Sequence, residues 1–329
     1  MIVTIWYLLY NRNLNGVQRP LDQGTPTGWR RAGSSAMGRE MGKRILVVGA
    51  TGMLGEPVAR RLREDGYSVR VLARQPDRAQ ARLGDGFEVV KGDVTDAGSL
   101  ERAVEGCFGI HISLRGGPGP ESFEEVEHRG TANIASAAAK AEVQRISYLS
   151  GAASFEDHAW FPSVGAKLAA EAELRKSGVP YTVFCPTHFM ETLPMFVRGG
   201  RATIIGRQPH ALHYVAAADM ARMVSRAFAE PRTAGKRLYV FGPESMTMRE
   251  ALEVYCAALA PRLKISTVPT WVVGLVGRVS GNPETRFAAE LFRFFERVGE
   301  GGDPTEANDL LGAPTTTLAA WCEARGGGT

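Results

Sequence analysis

Three glycines at intervals of three residues, Gly49, Gly52 and Gly55, limit the fold of this 329-residue chain more than any other feature. They follow the wholly apolar run 45–48, which is typical of a parallel strand buried on both faces. Segment 57–65 comes next and places apolar side chains on one helical face and charges on the other. The sequence therefore predicts a strand, a tight glycine turn and a helix in direct succession.

Strands and helices continue to alternate through the first half of the chain. Further strands are predicted at 67–73, 87–90, 109–114, 145–149 and 181–185, and helices at 99–105, 123–141 and 163–177. Strands that alternate with helices are joined by right-handed crossovers into a parallel sheet. We therefore predict an α/β fold with a doubly wound parallel sheet of the Rossmann type.

Beyond residue 187 the alternation loosens, and we expect a small mixed C-terminal lobe. Helices are predicted at 217–230, 248–259, 269–279 and 285–298, a strand at 237–241 and a flexible break at 299–303. Aromatic residues concentrate on the last of these helices, where we expect them to pack in the core or at a dimer face. We interpret 43–260 as the Rossmann-type domain, including parts of this lobe, and 261–329 as a helical C-terminal extension.

Residues 1–42 differ in composition from the rest of the chain. Most of this segment is rich in Gly, Pro, Arg, Ser and Asn without apolar periodicity, which is typical of disorder. We expect a disordered, dispensable leader. Because residues 2–10 are apolar, a short membrane-touching anchor is the alternative.

Charge and cysteine content exclude several classes of protein. The net charge is +4, and residues 1–42 carry +3 of it (five Arg against Asp22 and Glu40), which leaves +1 for the remainder. Such a chain lacks the basic face of a nucleic-acid-binding protein. The four cysteines are scattered, so we expect reduced thiols, no metal site and a cytoplasmic location. No run approaches the roughly 20 apolar residues of a transmembrane helix, so we expect no integral membrane segment.

The glycine turn also predicts a ligand. Glycines let the backbone approach a pyrophosphate closely, and the free N–H groups that begin the next helix bind its oxygens. A strand before the turn and a helix after it are the context that the dinucleotide fingerprint requires. We therefore predict a dinucleotide site formed by Gly49, Thr51, Gly52, Met53, Leu54 and Gly55.

The end of the second strand indicates which dinucleotide binds. Position 74, 19 residues after Gly55, is where an Asp or Glu would bind the ribose of NAD. Arg74 stands there, and a guanidinium suits a 2′-phosphate, so NADP(H) is favoured over NAD(H). Asp93 ends the third strand, where it is either a helix cap or an adenine contact.

Short motifs are spread along residues 43–260. They are Gly-Ala-Thr-Gly-Met-Leu-Gly from Gly49, Gly92-Asp-Val, Gly130-Thr-Ala-Asn, Tyr148-Leu-Ser, Lys167 with Glu171, Ser177-Gly-Val-Pro-Tyr-Thr-Val, Cys185-Pro-Thr-His-Phe-Met-Glu and Phe241-Gly-Pro-Glu-Ser. Together these motifs resemble those of the atypical short-chain dehydrogenases/reductases, and within them the NmrA-like NAD(P)-binding family.

This resemblance implies roles for residues outside the glycine turn. The loop 115–120 and the region after residue 188 are expected to wall a substrate pocket. The implied dinucleotide contacts are Asp93 and Val94 beside the adenine, Ser113 and Leu114 along the dinucleotide, Pro186, Thr187 and His188 near the nicotinamide, and Lys167 on the nicotinamide ribose.

The superfamily's acid–base pair, Tyr-x-x-x-Lys, is incomplete. The residue four positions before Lys167 is Ser163, whose hydroxyl is a far poorer acid than a phenol. The usual catalytic serine aligns with Ala152. The candidate proton donors are therefore Lys167 and His188, with Tyr181 and His158 as further possibilities.

Three functions stay open. One is an NADP-dependent oxidoreductase that reduces a small quinone, enone or carbonyl compound, since a hydroquinone product takes its protons from water. The second is a non-catalytic NADP(H)-binding redox sensor or assembly factor that acts through a protein partner. The third is a nucleotide-sugar epimerase or dehydratase, which also depends on the absent tyrosine. A homodimer is common among similar proteins.

Overall fold

The computed structural model describes residues 42–326, so the leader expected at 1–42 and its anchor alternative lie almost wholly outside the described residues. A seven-stranded sheet forms the centre, and all its strands are parallel. The strands are β1 (Arg44–Val48), β2 (Ser68–Ala73), β3 (Glu88–Lys91), β4 (Gly109–Ile112), β5 (Arg145–Leu149), β6 (Tyr181–Pro186) and β11 (Lys236–Val240).

The strand order β11-β6-β5-β4-β1-β2-β3 places β1 between β2 and β4. The chain proceeds outward from β1 toward β3 and, after a crossover, outward from β4 toward β11. The strand order thus reverses between β1 and β4, and a crevice forms at their carboxyl ends, where sheets of this type bind ligands. The predicted doubly wound α/β fold is confirmed.

Helices cover both faces of the central sheet. Alternate side chains of β1 enter opposite clusters, Ile45 and Val47 on one face and Leu46 and Val48 on the other. This double burial explains the wholly apolar sequence of the strand. The first face holds α1 (Gly55–Glu64), α2 (Pro76–Leu83) and α6 (Ala217–Ala229), and the second holds α3 (Ala97–Val104), α4 (Gly130–Lys140) and α5 (Pro162–Lys176).

A second, smaller lobe follows the carboxyl end of β6 and contains two three-stranded sheets. Both sheets mix parallel and antiparallel pairs, as the predicted mixed lobe requires. One consists of β7 (His188–Phe189), β10 (Leu212–Val215) and β12 (Ser245–Met246), and the other of β8 (Val197–Arg198), β9 (Arg201–Ile205) and β13 (Ile265–Val268).

Four helices complete the second lobe, and a fifth returns to the first. The aromatic residues of α9 are buried in the core of this lobe, which confirms the core-packing interpretation. The helices of the lobe are α7 (Met248–Leu259), α8 (Thr270–Val279), α9 (Pro283–Arg297) and α11 (Leu318–Gly326). Between the last two, α10 (Thr305–Leu311) packs beside β11 and α6.

Two predicted elements differ from the structure. The helix expected over 123–141 is continuous but not uniformly α-helical, because Phe123–Arg129 is π-helical and only then does α4 begin. The break at 299–303 is irregular, as predicted, yet it is packed against the rest of the molecule. Within residues 42–326 no helix is both long enough and apolar enough to cross a bilayer.

Candidate functional site

A cavity of about 990 Å³ opens at the carboxyl ends of β1, β4, β5 and β6, over the point where the strand order reverses. It extends from the glycine turn into the second lobe. Among the predicted dinucleotide residues, those that line it are Gly49, Thr51, Gly52, Met53, Leu54, Arg74, Asp93, Val94, Ser113, Leu114, Lys167, Pro186, Thr187 and His188.

Gly55 is the predicted residue that does not line the cavity. A Cβ on Gly55 would lie 2.2 Å from the carbonyl oxygen of Gly49, so this glycine allows α1 to pack against the turn. Gly49 itself has φ of +86°, and a Cβ there would lie 2.2 Å from the carbonyl oxygen of Ser113. The Gly52 N–H donates to the Gly49 carbonyl oxygen at 2.9 Å and closes the turn.

The residues that line the cavity beside the turn come directly before α1. The start of α1 has no side-chain cap from Leu54, and the Glu56 N–H donates to the Gly52 carbonyl oxygen at 3.0 Å. Thr51 and Gly52 are exposed on the cavity side. Peptide N–H groups and the positive end of a helix dipole together bind phosphate oxygens, so the turn fits a pyrophosphate.

Arginines line the end of the cavity beside β2. Arg74 and Arg78 are both exposed there, on either side of the start of α2. Arg82, one turn further, also lines the cavity but its Nε binds Glu56 at 2.6 Å. Asp77 is exposed and is not among the lining residues. Sequence reasoning found Arg74 and missed Arg78, although an i, i+4 spacing linked the two positions.

Asp93 lines the cavity and does not cap a helix. Its Oδ1 accepts hydrogen bonds from the backbone N–H and the hydroxyl of Thr95, at 3.0 and 2.9 Å. Asp96 caps α3 instead, by accepting from the Gly98 N–H at 3.0 Å. Of the two roles open to Asp93, helix capping is therefore wrong, and the side chain stands where an adenine contact was expected.

Lys167 is half of a buried ion pair. Its Nζ lies 3.0 Å from Glu127 Oε2, and the two side chains are 8% and 2% exposed. The same ammonium donates to the Leu149 carbonyl oxygen at 3.3 Å. Glu127 Oε1 accepts from the Gly116 N–H at 2.9 Å, which ties the loop after β4 to the π-helical segment. The pairing compensates both buried charges and fixes Lys167 at the wall of the cavity.

Ser163 lies one helical turn before Lys167 on α5 and also lines the cavity. Its Oγ is buried and has no hydrogen-bond partner among the residues described. The position that normally carries a phenol therefore holds a small, buried hydroxyl at the cavity wall. Ala152, where a catalytic serine was expected, lines the cavity without a polar group. Tyr181 and His158, the two further proton-donor candidates, are not among the lining residues.

Ser150 belongs to a polar network beneath the cavity. Its hydroxyl donates to Glu171 Oε1 at 2.5 Å, and Glu171 Oε2 binds Arg237 Nε at 3.0 Å. Arg237 also contacts the Tyr239 hydroxyl and the Ser154 carbonyl oxygen. The network fixes the loop after β5, where the cavity meets the second lobe.

The far end of the cavity, here named the apolar compartment, is lined by Phe189, Phe295 and Val298, with His188 and Glu300 as its polar groups. The rings of His188 and Phe295 lie 5.1 Å apart. Burial lowers the pKa of His188 to about 3, so its imidazole is neutral at neutral pH. A neutral imidazole donates or accepts a hydrogen bond but supplies no proton as an imidazolium.

Glu300 belongs to the segment 299–302, here named the glycine strap, which lies between α9 and α10 and lines the cavity with Gly299 and Glu300. The sequence of the strap is Gly-Glu-Gly-Gly, so Glu300 is its one residue with a side chain. Sequence reasoning missed Glu300, because glycines on both sides indicated a flexible break. Within residues 42–326 no group of three or more His, Cys, Asp or Glu is placed to bind a metal ion.

Comparisons with known proteins agree with this geometry. A reductase of Streptomyces griseus subsp. griseus, named for (4-alkanoyl-5-oxo-2,5-dihydrofuran-3-yl)methyl phosphate, is 34% identical over 209 residues, which are 63% of this chain and 70% of that protein. The photosystem II assembly factor Ycf39 of Trieres chinensis is 24% identical over 72% of this chain and 76% of its own length.

Among solved structures, an NADPH-dependent quinone oxidoreductase of Escherichia coli superposes with a TM-score of 0.67 at 22% identity. The superposition covers 85% of this chain and 98% of that protein, which shows a shared fold. The family model described as NmrA-like matches residues 41–319. This chain therefore belongs to the NmrA-like family.

Proposed function

We propose that this protein is an NADP(H)-dependent reductase of a small quinone, enone or carbonyl compound. One observation carries the proposal: a single cavity runs from a pyrophosphate-binding turn, past Lys167, into an apolar compartment. A bound NADPH supplies a hydride, and the apolar compartment accommodates a second molecule. The names of the Streptomyces and Escherichia coli relatives, both reductases, support the same reaction class.

The residues of the chain bind and orient rather than protonate. Lys167, fixed by Glu127 and the Leu149 carbonyl oxygen, keeps one N–H donor suited to the nicotinamide ribose. Ser163 is too weak an acid to replace a phenol, and His188 is neutral. Quinones and enones suit such a site, because their reduced oxygens take protons from water.

NADP(H) is favoured over NAD(H) by the two arginines beside β2. Arg74 and Arg78 carry positive charge where the adenosine ribose is expected, and Asp77 is not among the residues that line the cavity. A guanidinium forms paired hydrogen bonds with a phosphate, whereas a ribose 2′-hydroxyl gains little from it.

Titration with NADPH and NADH, followed by calorimetry, tests the cofactor part. We expect Arg74→Ala and Arg78→Ala each to weaken NADPH binding by about tenfold, as loss of a charge-assisted contact does, and to leave NADH binding nearly unchanged. Arg102→Ala, an exposed arginine on α3 outside the cavity, is the matched control. An equal loss of affinity for NADPH and NADH in the variants would contradict the 2′-phosphate assignment. If the wild-type protein binds neither dinucleotide, the glycine turn has only a structural role.

Turnover is measured as NADPH oxidation across a panel of quinones and enones, with Gly52→Asp as the inactive reference. Oxidation above that reference supports the reductase.

A second candidate is a dinucleotide-dependent sensor or assembly factor, and Ser163 at the tyrosine position is the observation that favours it. The relative named as an assembly factor points the same way. NADPH binding without turnover in the panel supports this candidate. A partner's affinity must then differ between the NADPH-bound and dinucleotide-free protein, because binding at two sites is reciprocally coupled.

A further inference from the structure

The glycine strap is built to present one carboxylate to the apolar compartment. Its backbone runs so close to aromatic rings that side chains are excluded on the C-terminal side of Glu300. A Cβ on Gly301 would lie 2.8 Å from the ring of Phe155, and one on Gly302 would lie 2.2 Å from the ring of Tyr239. Glu300 is thus the one position of the strap where a side chain projects, and it lines the cavity.

The carboxylate is fixed from one side. The His213 backbone N–H donates to Glu300 Oε2 at 2.9 Å and to Oε1 at 3.2 Å, and His213 Nδ1 also contacts Oε1. The Glu300 side chain is only 13% exposed. His213 lies on β10, where its neighbour Tyr214 pairs in register with His188 of β7. Glu300 is thus bound to β10, whose neighbouring strand β7 carries His188, and both residues line the cavity.

A carboxylate offers about four acceptor positions, and the contacts with His213 use two on Oε1 and one on Oε2, so one on Oε2 remains for a ligand. The surrounding surface is apolar, from Phe189, Phe295 and Val298. The other charged groups nearby are engaged, since Lys167 pairs with Glu127 and Arg115 has an interaction of its own. A ligand there meets a flat apolar surface with an anionic acceptor at one edge.

We propose that Glu300 is a specificity-determining residue that selects flat, apolar substrates carrying a hydrogen-bond donor or a positive charge, and rejects anionic ones. This inference rests on the proposed function and names the substrate class of the same site. An anionic substrate would lose its hydration beside an unmatched like charge, whereas a donor or cation would satisfy the buried carboxylate.

The test is a charge series of three matched naphthoquinones that carry a neutral alkyl, a trimethylammonium-alkyl or a sulfonate-alkyl substituent. Their dissociation constants are measured by calorimetry on the protein saturated with NADP⁺, in which no hydride is available. The same dissociation constants are measured without dinucleotide, which shows whether the preference for charge depends on bound NADP⁺. The wild-type protein should prefer the cationic over the anionic probe by about tenfold or more.

The isosteric variant Glu300→Gln should reduce that ratio to near one. His213→Gln keeps the carboxylate and should keep the preference, while Glu253→Gln, an exposed carboxylate on α7, is the matched control. Equal binding of the three probes by the wild type, or an unchanged ratio in Glu300→Gln, overturns the inference. Failure of every probe to bind while NADP⁺ binds also overturns it and leaves the cofactor assignment standing.

Discussion

Two buried histidines make the folded protein sensitive to acid. His111 lies in β4 with its Nδ1 3.1 Å from the Ser147 hydroxyl, and burial lowers its pKa to about 3, as it does for His188. Neither imidazole accepts a proton in the folded state until far below neutral pH. In the unfolded chain both take up protons near the ordinary value of about 6.5.

We predict that the free energy of unfolding is insensitive to these histidines above pH 6.5 and falls as the pH decreases from 6.5 toward 3. The unfolded state binds more protons in that window, so each histidine contributes a slope of up to about 1.4 kcal/mol per pH unit. Urea unfolding at intervals between pH 8 and 5 measures the slope. His111→Asn should reduce this slope by up to about 1.4 kcal/mol per pH unit, which corresponds to one bound proton. An unchanged slope would show that His111 is not shielded from protonation in the folded state.

At the scale of residues, the sequence predicted those site residues whose position follows from their spacing to a nearby motif. Arg74 was found by counting from Gly55, and it lines the cavity. Glu127 and Glu300 were missed, because their partners, Lys167 and His213, are 40 and 87 residues away in the chain. No local pattern indicates contacts over such separations.

At the scale of elements, the glycine turn joins β1 and α1 with no room for a side chain. Gly49 combines a positive φ with a close approach to Ser113, while Gly178, just after α5, has φ of +72° and nothing within 4 Å of its Cβ position. A side chain at Gly178 would therefore meet only backbone strain, whereas one at Gly49 would meet both backbone strain and steric overlap.

We predict that Gly178→Ala lowers the free energy of unfolding by about 1 kcal/mol, because only the backbone at a positive φ is strained. Gly49→Ala should lower it clearly more, because β4 must also move away from the turn. Chemical unfolding gives both values, and calorimetry shows whether NADPH binding is lost in Gly49→Ala alone. Similar costs for the two variants would mean that the turn relaxes freely.

Most of the longer strands and helices were predicted because each carries a clear apolar period, whereas β9, β10, β13, α2, α10 and α11 were missed. The strands β7, β8 and β12 have two residues each, too few for any period to appear. The π-helical segment was also missed. No local sequence signal indicates a π-helical turn. This segment and the residue before it contact the loop after β4, through Glu127 to the Gly116 N–H and through Ser122 to the Gly117 N–H.

At the scale of the whole molecule, the last two helices join the lobes. Ala307 and Leu311 of α10 are buried in the cluster that contains β1 and α6, and Arg222 binds the carbonyl oxygens of Leu311 and Gly312. Trp321 of α11 donates its indole N–H to Glu191 Oε1 at 2.9 Å. Burial raises the pKa of Glu191, whose Oε2 also accepts from the first turn of α6.

We predict that a chain ending at residue 304 either fails to fold or loses at least about 10 °C in Tm. The truncation removes several fully buried side chains, and each such loss costs a few kcal/mol. Circular dichroism and NADPH fluorescence during heating should change together. Retention of the full-length Tm would instead show that residues 305–329 contribute little to the folding of the rest.

The glycine strap lies between two fixed points, since α9 is embedded in the second lobe and α10 is bound to the first. Its length therefore sets one dimension of the apolar compartment while both anchoring helices stay in place. At the C-terminal end of the strap Gly301 and Gly302 pack tightly on Phe155 and on Tyr239 of β11, whereas Gly299 has only an ordinary contact with His210. A change of length is therefore tolerated best beside Gly299, and that end of the strap is where we expect the width of the compartment to vary between related proteins.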